Sequence, residues 1–464
     1  MNTAAAERWA SSEFSGARLG DARRSKRLVR LAAQVAEAPA GRVSEAVVGV
    51  AEREGAYRFL EHDEITAEAL CRSASMASAE RARAEKFVFV PVDQTSLNLP
   101  DPSGGRGLGA IGERRSKARG LQVMNAIAVA PDGTPVGLFG QKYWVRPPGL
   151  SIKASRRKRK LAEKETRYWL EAMEFGISAW AAVKVETKLW FQLDRGGDFR
   201  EMLQWARDND HWITVRANFD RRTLDADQRY LWGSLEAAPP MDTYKLIVPA
   251  RAKRPGRTAT IEVRARRVSL LLRDRWLKKD ERVEVTAVLA REISPVPQGA
   301  ERIEWLLLTN RPLTDFAEAR KVIYGYSRRW RVEEFHKTWK STCSVEDTQL
   351  RNVQSITTWA TLLASVAMRI QRLVHLARTA PATPADQELT RHEIEAVIRL
   401  KKPKDFSPGD IPPISLAVRW IAELGGYTGR SSGGPPGAKT ISRGLDRIQL
   451  AAELLKTNSP KYDQ

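Results

Sequence analysis

The chain has 464 residues, 42% of them hydrophobic, and a formal net charge of +21. The length predicts two to four domains, and the composition excludes an intrinsically disordered chain. A positive surplus of this size predicts a polyanionic partner, first of all nucleic acid, although charge that only keeps a protein in solution gives the same total.

The cysteines and the apolar segments exclude further classes of protein. Cys71 and Cys343 are far apart and not at metal-ligand spacing, which argues against structural zinc and suits a reducing compartment. The N-terminus lacks a basic region followed by an apolar core, and no apolar run is long enough to cross a bilayer. We therefore expect a soluble cytoplasmic protein without a membrane partner.

The segment up to about residue 80 is predicted to be helical and basic. In LGDARRSKRLVRLAAQVAEA, Asp21 stands where a helix N-cap belongs. An apolar face follows at helical spacing, at Leu28, Leu31, Ala32 and Val35. A second helix is expected from about Ser44 to Leu60. Basic helices of this kind can read double-stranded DNA, but a solvated helix face shows the same pattern.

Strand patterns dominate the middle of the chain. The stretch KFVFVPVDQTSLNL is apolar on both faces, as expected of a central strand in a covered sheet. LQVMNAIAVAPDGTPVGLFGQKYWV predicts two strands around a turn at Pro131 to Gly133, and KLWFQLD predicts another buried strand. A strand-rich region runs from about residue 241 to 311, and a helix follows from about Asp315.

Three carboxylates stand out. Asp93 and Asp194 each appear at the C-terminal end of a hydrophobic strand, where ligands bind in open α/β sheets, although such residues are also common as helix caps. In YSRRWRVEEFHKTWK, helical periodicity places Glu333 on the same face as Tyr326, Arg329 and Lys340. Val332, Phe335 and Trp339 form the opposite, packing face. Oxygen ligands of this kind suit Mg²⁺, and nearby Arg and Lys suit phosphate.

These segments resemble the bacterial cut-and-paste DDE transposases of insertion-sequence family four. The resemblance rests on the spacing of Tyr326, Arg329, Glu333 and Lys340, and on LGDARRSKRLV, EGAYRFL, GLGAIGERRSKARG and WLLLTNRP in the same order. It covers about residues 10 to 375. The chain departs from it at Arg195-Gly196-Gly197-Asp198, where a member of that family carries Arg-Glu-Ala-Asp, and it is least alike at the C-terminus.

The resemblance implies an α/β fold: an RNase H-like (retroviral-integrase-type) catalytic core at residues 76–376 with a β-rich insertion at about 220–311. It implies a helical N-terminal DNA-binding domain at 1–75 and a helical C-terminal dimerisation domain at 377–464. Asp93, Asp194 and Glu333 are implied as catalytic metal ligands for two Mg²⁺ ions, with Mn²⁺ as a substitute. The implied DNA contacts are Arg23, Arg24, Arg27, Arg58, Arg216, Trp305, Tyr326, Arg329, His336, Lys337 and Lys340.

The implied function is that of a DNA transposase in a bacterial cytoplasm, bound to the nucleoid when it holds DNA. It would bind the inverted ends of its element as a homodimer, nick them, form and resolve hairpins, and join the ends to target DNA. Two alternatives stay open: a transposase-derived DNA-binding repressor or inhibitor without catalysis, and a plain metal-dependent nuclease.

Overall fold

The computed structural model describes residues 5–112, 118–146, 160–224, 229–250, 255–274, 279–429 and 434–458. The chain begins with helices α1 (Ala5–Phe14), α2 (Ala22–Glu37), α3 (Val43–Ala46), α4 (Val50–Leu60) and α5 (Ala67–Arg81). The Asp21 side chain accepts a hydrogen bond from the Arg23 backbone N–H (2.7 Å), which confirms the predicted N-cap of α2. The expected second helix is interrupted, because Gly49 adopts a left-handed φ of +89° and separates α3 from α4.

A ten-stranded mixed sheet follows. Its strands are β1 (Phe87–Asn98), β2 (Gly109–Ala110), β3 (Arg119–Val129), β4 (Pro135–Trp144), β5 (Lys188–Leu193), β6 (Trp212–Arg216), β7 (Pro240–Val248), β8 (Arg257–Asp274), β9 (Lys279–Glu292) and β10 (Glu304–Thr309). The spatial order is β2-β3-β1-β5-β6-β10-β9-β8-β7, with β4 beside β3. Strands β1, β5 and β6 are parallel, and the other pairs are antiparallel.

The predicted insertion extends this sheet. After β6 the chain forms β7, β8 and β9 and then returns as β10, which pairs with both β6 and β9. The strand-rich reading of residues 241–311 is therefore confirmed, and these strands are joined to the rest of the sheet by backbone hydrogen bonds.

Helices cover both faces of the sheet, as the alternation in β1 requires. Val88 and Val90 point to one core, which contains residues of α6 (Arg167–Val183), α7 (Arg200–Asp208) and α8 (Leu231–Ala237). Phe89 points to the other core, with residues of α9 (Phe316–Arg328), α10 (Trp330–Ser341) and α11 (Val353–Thr379). This arrangement explains why the strand is apolar on both faces.

The C-terminal part is helical, with α12 (Arg391–Lys401), α13 (Ile414–Leu424) and α14 (Ala438–Asn458) packed near α11. Every residue of α11 from Ser355 to Ile370 is buried. In the described part of the chain, no helix combines the length and the hydropathy needed to span a membrane.

Candidate active site and DNA-contacting residues

Asp93 and Asp194 lie side by side on neighbouring parallel strands. Val92 pairs with Leu193, so that the two aspartates follow at the same level of β1 and β5. The sequence analysis placed Asp93 at the end of its strand, and this prediction is wrong. Strand β1 continues to Asn98 because residues 94–98 keep pairing with β3 after β5 has ended. Beyond Val92, β1 no longer pairs with β5, and the Asp93 carboxylate there is mostly buried.

Glu333 reaches this place from α10. The predicted single helix is interrupted at Arg329, which ends α9 and begins α10 and itself keeps helical dihedral angles; neither Pro nor Gly stands there. Arg329 Nη2 lies 2.6 Å from Glu333 Oε1, and Nη1 lies 3.7 Å from Asp93 Oδ2. This guanidinium therefore joins the helix carboxylate to the strand carboxylate.

The carboxylates repel one another electrostatically. Burial raises the pKa of Asp93, the charges of Asp194 and Glu333 also raise it, and Arg329 lowers it, so that the pKa comes to about 7. Among the described residues, no three His, Cys, Asp or Glu side chains lie close enough together to hold a metal ion as they stand. The Arg329 guanidinium lies between the carboxylates of Asp93 and Glu333 and pairs with both. An all-oxygen donor set under mutual repulsion nevertheless suits a hard divalent cation, which would relieve that repulsion.

The other members of the helical stripe face the same region. Tyr326 is buried, and burial raises its pKa while the charges of Arg329 and Arg216 lower it. Lys340 Nζ donates to the Ser96 carbonyl oxygen (2.6 Å) on the extended part of β1. The packing face of Val332, Phe335 and Trp339 is fully buried, which confirms that prediction. The stripe therefore faces β1 although two helices carry it.

Trp305 lies on β10 beside this stripe. Its ring is 5.1 Å from the Tyr326 ring and 5.7 Å from that of Trp330, with both neighbours edge-to-face. Trp305 is partly exposed, and Trp330, which the sequence reading passed over, is 49% exposed. Arg216 on β6 donates to the Glu304 carbonyl oxygen (3.0 Å) and belongs to the same neighbourhood. An aromatic surface therefore adjoins the carboxylates.

His336 and Lys337 have opposite environments. Lys337 is exposed, as a DNA contact requires. His336 is buried 3.0 Å from the Asn125 amide nitrogen, and Asn125 accepts a hydrogen bond from Gln141 (2.7 Å). Burial lowers the pKa of His336 to about 3, so the ring is neutral. This location does not match the DNA contact expected for His336. The sequence signal for a buried partner of His336 was Asn125, a single Asn within the mostly apolar strand β3.

The N-terminal arginines also divide into two groups. Arg23 and Arg58 are exposed. Arg24 Nη1 donates to the Leu19 carbonyl oxygen (2.8 Å), and Arg27 binds both the carboxylate and the carbonyl oxygen of Glu52, each at 2.7 Å. Arg27 thus connects α2 to α4, while Arg23 and Arg58 present charge to solvent.

A carboxylate that the sequence reading had not singled out lies just after Asp194. Asp198 is buried, accepts from Arg221 Nη2 (2.5 Å) and from the Asn218 backbone N–H (2.7 Å), and so fixes the loop that follows β6. Asp194 itself accepts from the Gly196 N–H (2.7 Å), so it caps a short 3-10 turn as well as facing Asp93.

Three protein-family models match the chain in order. The model described as Transposase DNA-binding matches residues 6–65, Transposase DDE domain matches 217–369, and Transposase Tn5 dimerisation domain matches 365–459. The DDE match contains Trp305 and Glu333 and begins after Asp93 and Asp194. A mixed sheet with a DDE domain and flanking helical regions agrees with the expected RNase H-like fold.

Proposed function

Because the chain belongs to the Tn5-like transposases of insertion-sequence family four and is thus a dimerising, metal-dependent DNA transposase, we propose that Asp93, Asp194 and Glu333 form its catalytic centre. The observation that carries this proposal is the meeting of three elements. The Val92–Leu193 register aligns two aspartates, and Arg329 brings Glu333 to Asp93.

Mg²⁺ is the proposed metal, held by these three carboxylates, with Mn²⁺ as a substitute. Asp93, Asp194 and Glu333 would hold two such ions, whose charge would stabilise the attacking and leaving oxygens of a phosphoryl transfer. The Asp93 carboxylate is more shielded from solvent than that of Glu333. Of the Asp93 side chain 18% is exposed, and of the Glu333 side chain 52%.

The cationic stripe would hold the DNA backbone. Arg329 and Lys340 flank the carboxylates and would bind non-reacting phosphate oxygens, and the Tyr326 hydroxyl would add a hydrogen bond. Arg216 and the exposed Lys337 would extend this contact. Partly exposed Trp305 would stack on a base displaced from the duplex, since aromatic rings offer a platform to any base.

The reaction sequence that we propose is cut-and-paste. A homodimer holds both inverted ends, and water nicks one strand at each end. The freed 3′ hydroxyl attacks the opposite strand to form a hairpin, the hairpin is reopened, and the ends are joined to target DNA. Exposed Arg23 and Arg58 in the N-terminal domain would bind the ends, with Arg24 and Arg27 shaping that surface.

The test is cleavage of a plasmid carrying the inverted repeats that flank the gene, in Mg²⁺ and in EDTA. The wild type, Glu333→Gln and a matched control, Glu334→Gln, are compared. Glu334 is adjacent but pairs with Arg331 at 2.5 Å, away from the carboxylates. We expect hairpin-ended release of the flanked segment by the wild type and the control, lost in EDTA and in Glu333→Gln.

Other outcomes point to the alternatives. Tight binding to the repeats without cleavage by the wild type would indicate a DNA-binding repressor or inhibitor. Cleavage without hairpins or strand-transfer products would indicate a plain nuclease. Equal loss of activity in Glu333→Gln and Glu334→Gln would remove the specific role of Glu333.

A further inference from the structure

A cavity of about 370 Å³ lies where three parts of the molecule meet, and none of Asp93, Asp194 and Glu333 lines it. Helix α1 contributes Arg8 and Trp9, α5 contributes Arg81, α11 contributes Arg369 and Arg372, and the turn after α11 contributes Glu388. The cavity therefore joins the N-terminal helices to the helix that leads into the C-terminal region.

Arg369 is the unusual residue of this cavity. Only 4% of its side chain is exposed, and neither Nη1 nor Nη2 has a hydrogen-bond partner among the described residues. Glu393 Oε1 lies 3.5 Å from Nη2, and the Trp9 ring centre lies 5.8 Å from the guanidinium carbon. A buried guanidinium with unsatisfied N–H groups is costly, so a ligand that accepts from it gains binding energy.

Two neighbouring arginines show the contrast. Arg81 donates to Glu13 (2.7 Å) and to the Val136 carbonyl oxygen (2.8 Å). Arg372 donates to Glu388 (2.8 Å) and to the Pro135 carbonyl oxygen (3.1 Å). These two guanidinium groups are already satisfied by protein atoms, and they also occupy two of the cavity's carboxylates.

We propose that this cavity binds a small phosphate-bearing anion, with Arg369 as its principal ligand. Four arginines line the cavity with three carboxylates, Glu13, Asp386 and Glu388, of which Glu13 and Glu388 are already paired. Glu393, behind Arg369, is a fourth carboxylate, and its ion pair leaves the Arg369 Nη groups without a hydrogen bond in the described part of the chain. The planar fork of a guanidinium matches the oxygens of a phosphate group. A backbone phosphate within a duplex cannot reach a side chain this deeply buried, so the ligand is a free phosphate or a mononucleotide.

Occupancy would tie α1 to α11. Because a ligand that binds only the folded chain raises its thermal stability, the test is the Tm of the full chain during titration with sodium phosphate. Sodium chloride at matched ionic strength is the reference, and adenosine monophosphate is a parallel arm. We expect a saturable rise of about 2 °C or more in phosphate beyond that in chloride. Saturation at a lower concentration of adenosine monophosphate would identify a nucleotide as the source of the phosphate.

The variants assign the effect to the cavity. Arg369→Gln should abolish the phosphate-specific rise, while Arg399→Gln, which removes an exposed arginine of α12 paired with Glu395, should keep it. Arg369→Lys keeps the charge but loses the fork, and should weaken phosphate binding about fivefold or more. A wild-type Tm that follows ionic strength alone would overturn the proposal. So would an unchanged phosphate response in Arg369→Gln or, if that variant does not fold, in Arg369→Lys.

Discussion

Two aspartates four positions apart, Asp194 and Asp198, have opposite environments. Asp198 is fully buried and its carboxylate is consumed by Arg221 and backbone N–H groups. Asp194 is partly exposed, accepts one hydrogen bond from Gly196, and adds repulsion to Asp93. A carboxylate satisfied by the protein holds the fold together, whereas one that opposes a like charge is available to a ligand.

The largest expected effect concerns Asp194, the carboxylate that is available to a ligand. Asp194→Asn should lower the rate of DNA cleavage about 1,000-fold, in the range of losing a principal electrostatic stabiliser, while the Tm stays close to that of the wild type. The rate is measured by cleavage, in Mg²⁺, of DNA that carries the element's ends, and the Tm is measured by thermal unfolding. Wild-type cleavage rates in this variant would remove Asp194 from the catalytic centre.

Asp198→Ala should give the opposite division. Removing one partner of a buried pair leaves the Arg221 charge uncompensated, so the free energy of unfolding should fall by about 3 kcal/mol. Urea denaturation measures it, and the double variant Asp198→Ala/Arg221→Met should recover part of the loss. An unchanged urea midpoint would contradict the structural role of Asp198.

His336, a buried group with a lowered pKa, extends the comparison to the pH dependence of stability. The pKa of His336 is lowered from 6.5 to about 3, so on acidification the unfolded chain binds a proton that the folded chain does not. Stability is therefore lost as the pH falls below 6.5, by about 2 kcal/mol at pH 5 from this group. Urea midpoints at pH 7 and 5 should differ less in His336→Gln than in the wild type. Equal differences in the two proteins would show that His336 does not cause the loss.

Arg27 and Arg58 give the smallest expected difference. Arg58→Ala should weaken binding to the element's ends a few-fold and reduce the slope of log affinity against log salt by about one, without changing the Tm. Arg27→Ala should weaken binding too, but with a lower Tm, because it breaks the contact between α2 and α4. Affinity that is unchanged across a salt series would exclude both residues from end recognition.

Much of the fold follows from local patterns. The apolar runs gave β1 and β5, Asp21 gave the start of α2, and Pro131 to Gly133 gave the turn of the β3–β4 hairpin. The continuation of β1 beyond Asp93 was hidden, because polar residues 94–98 are held in the strand by pairing with β3. The interruption between α9 and α10 at Arg329 was hidden as well, since no Pro or Gly marks it.

The candidate site was predictable as a set of residues and not as an arrangement. Spacing placed Glu333 with Tyr326 and Lys340, and the strands placed the aspartates. Burial determined the environments of the other predicted site residues. His336 is buried and does not lie at the surface, and Arg27 forms an ion pair with Glu52. Neither distinction could be read from residue types, because burial depends on elements distant in the chain.

Helix α11 has a consequence for how the protein can be divided. The matches for the DDE and dimerisation domains overlap at residues 365–369, inside a stretch of this helix that is buried on every side. A family boundary therefore falls where there is no seam in the packing. Cutting the chain at this boundary would expose the interior of the molecule, so the two matched domains share one packed helix and cannot be separated there without loss of core.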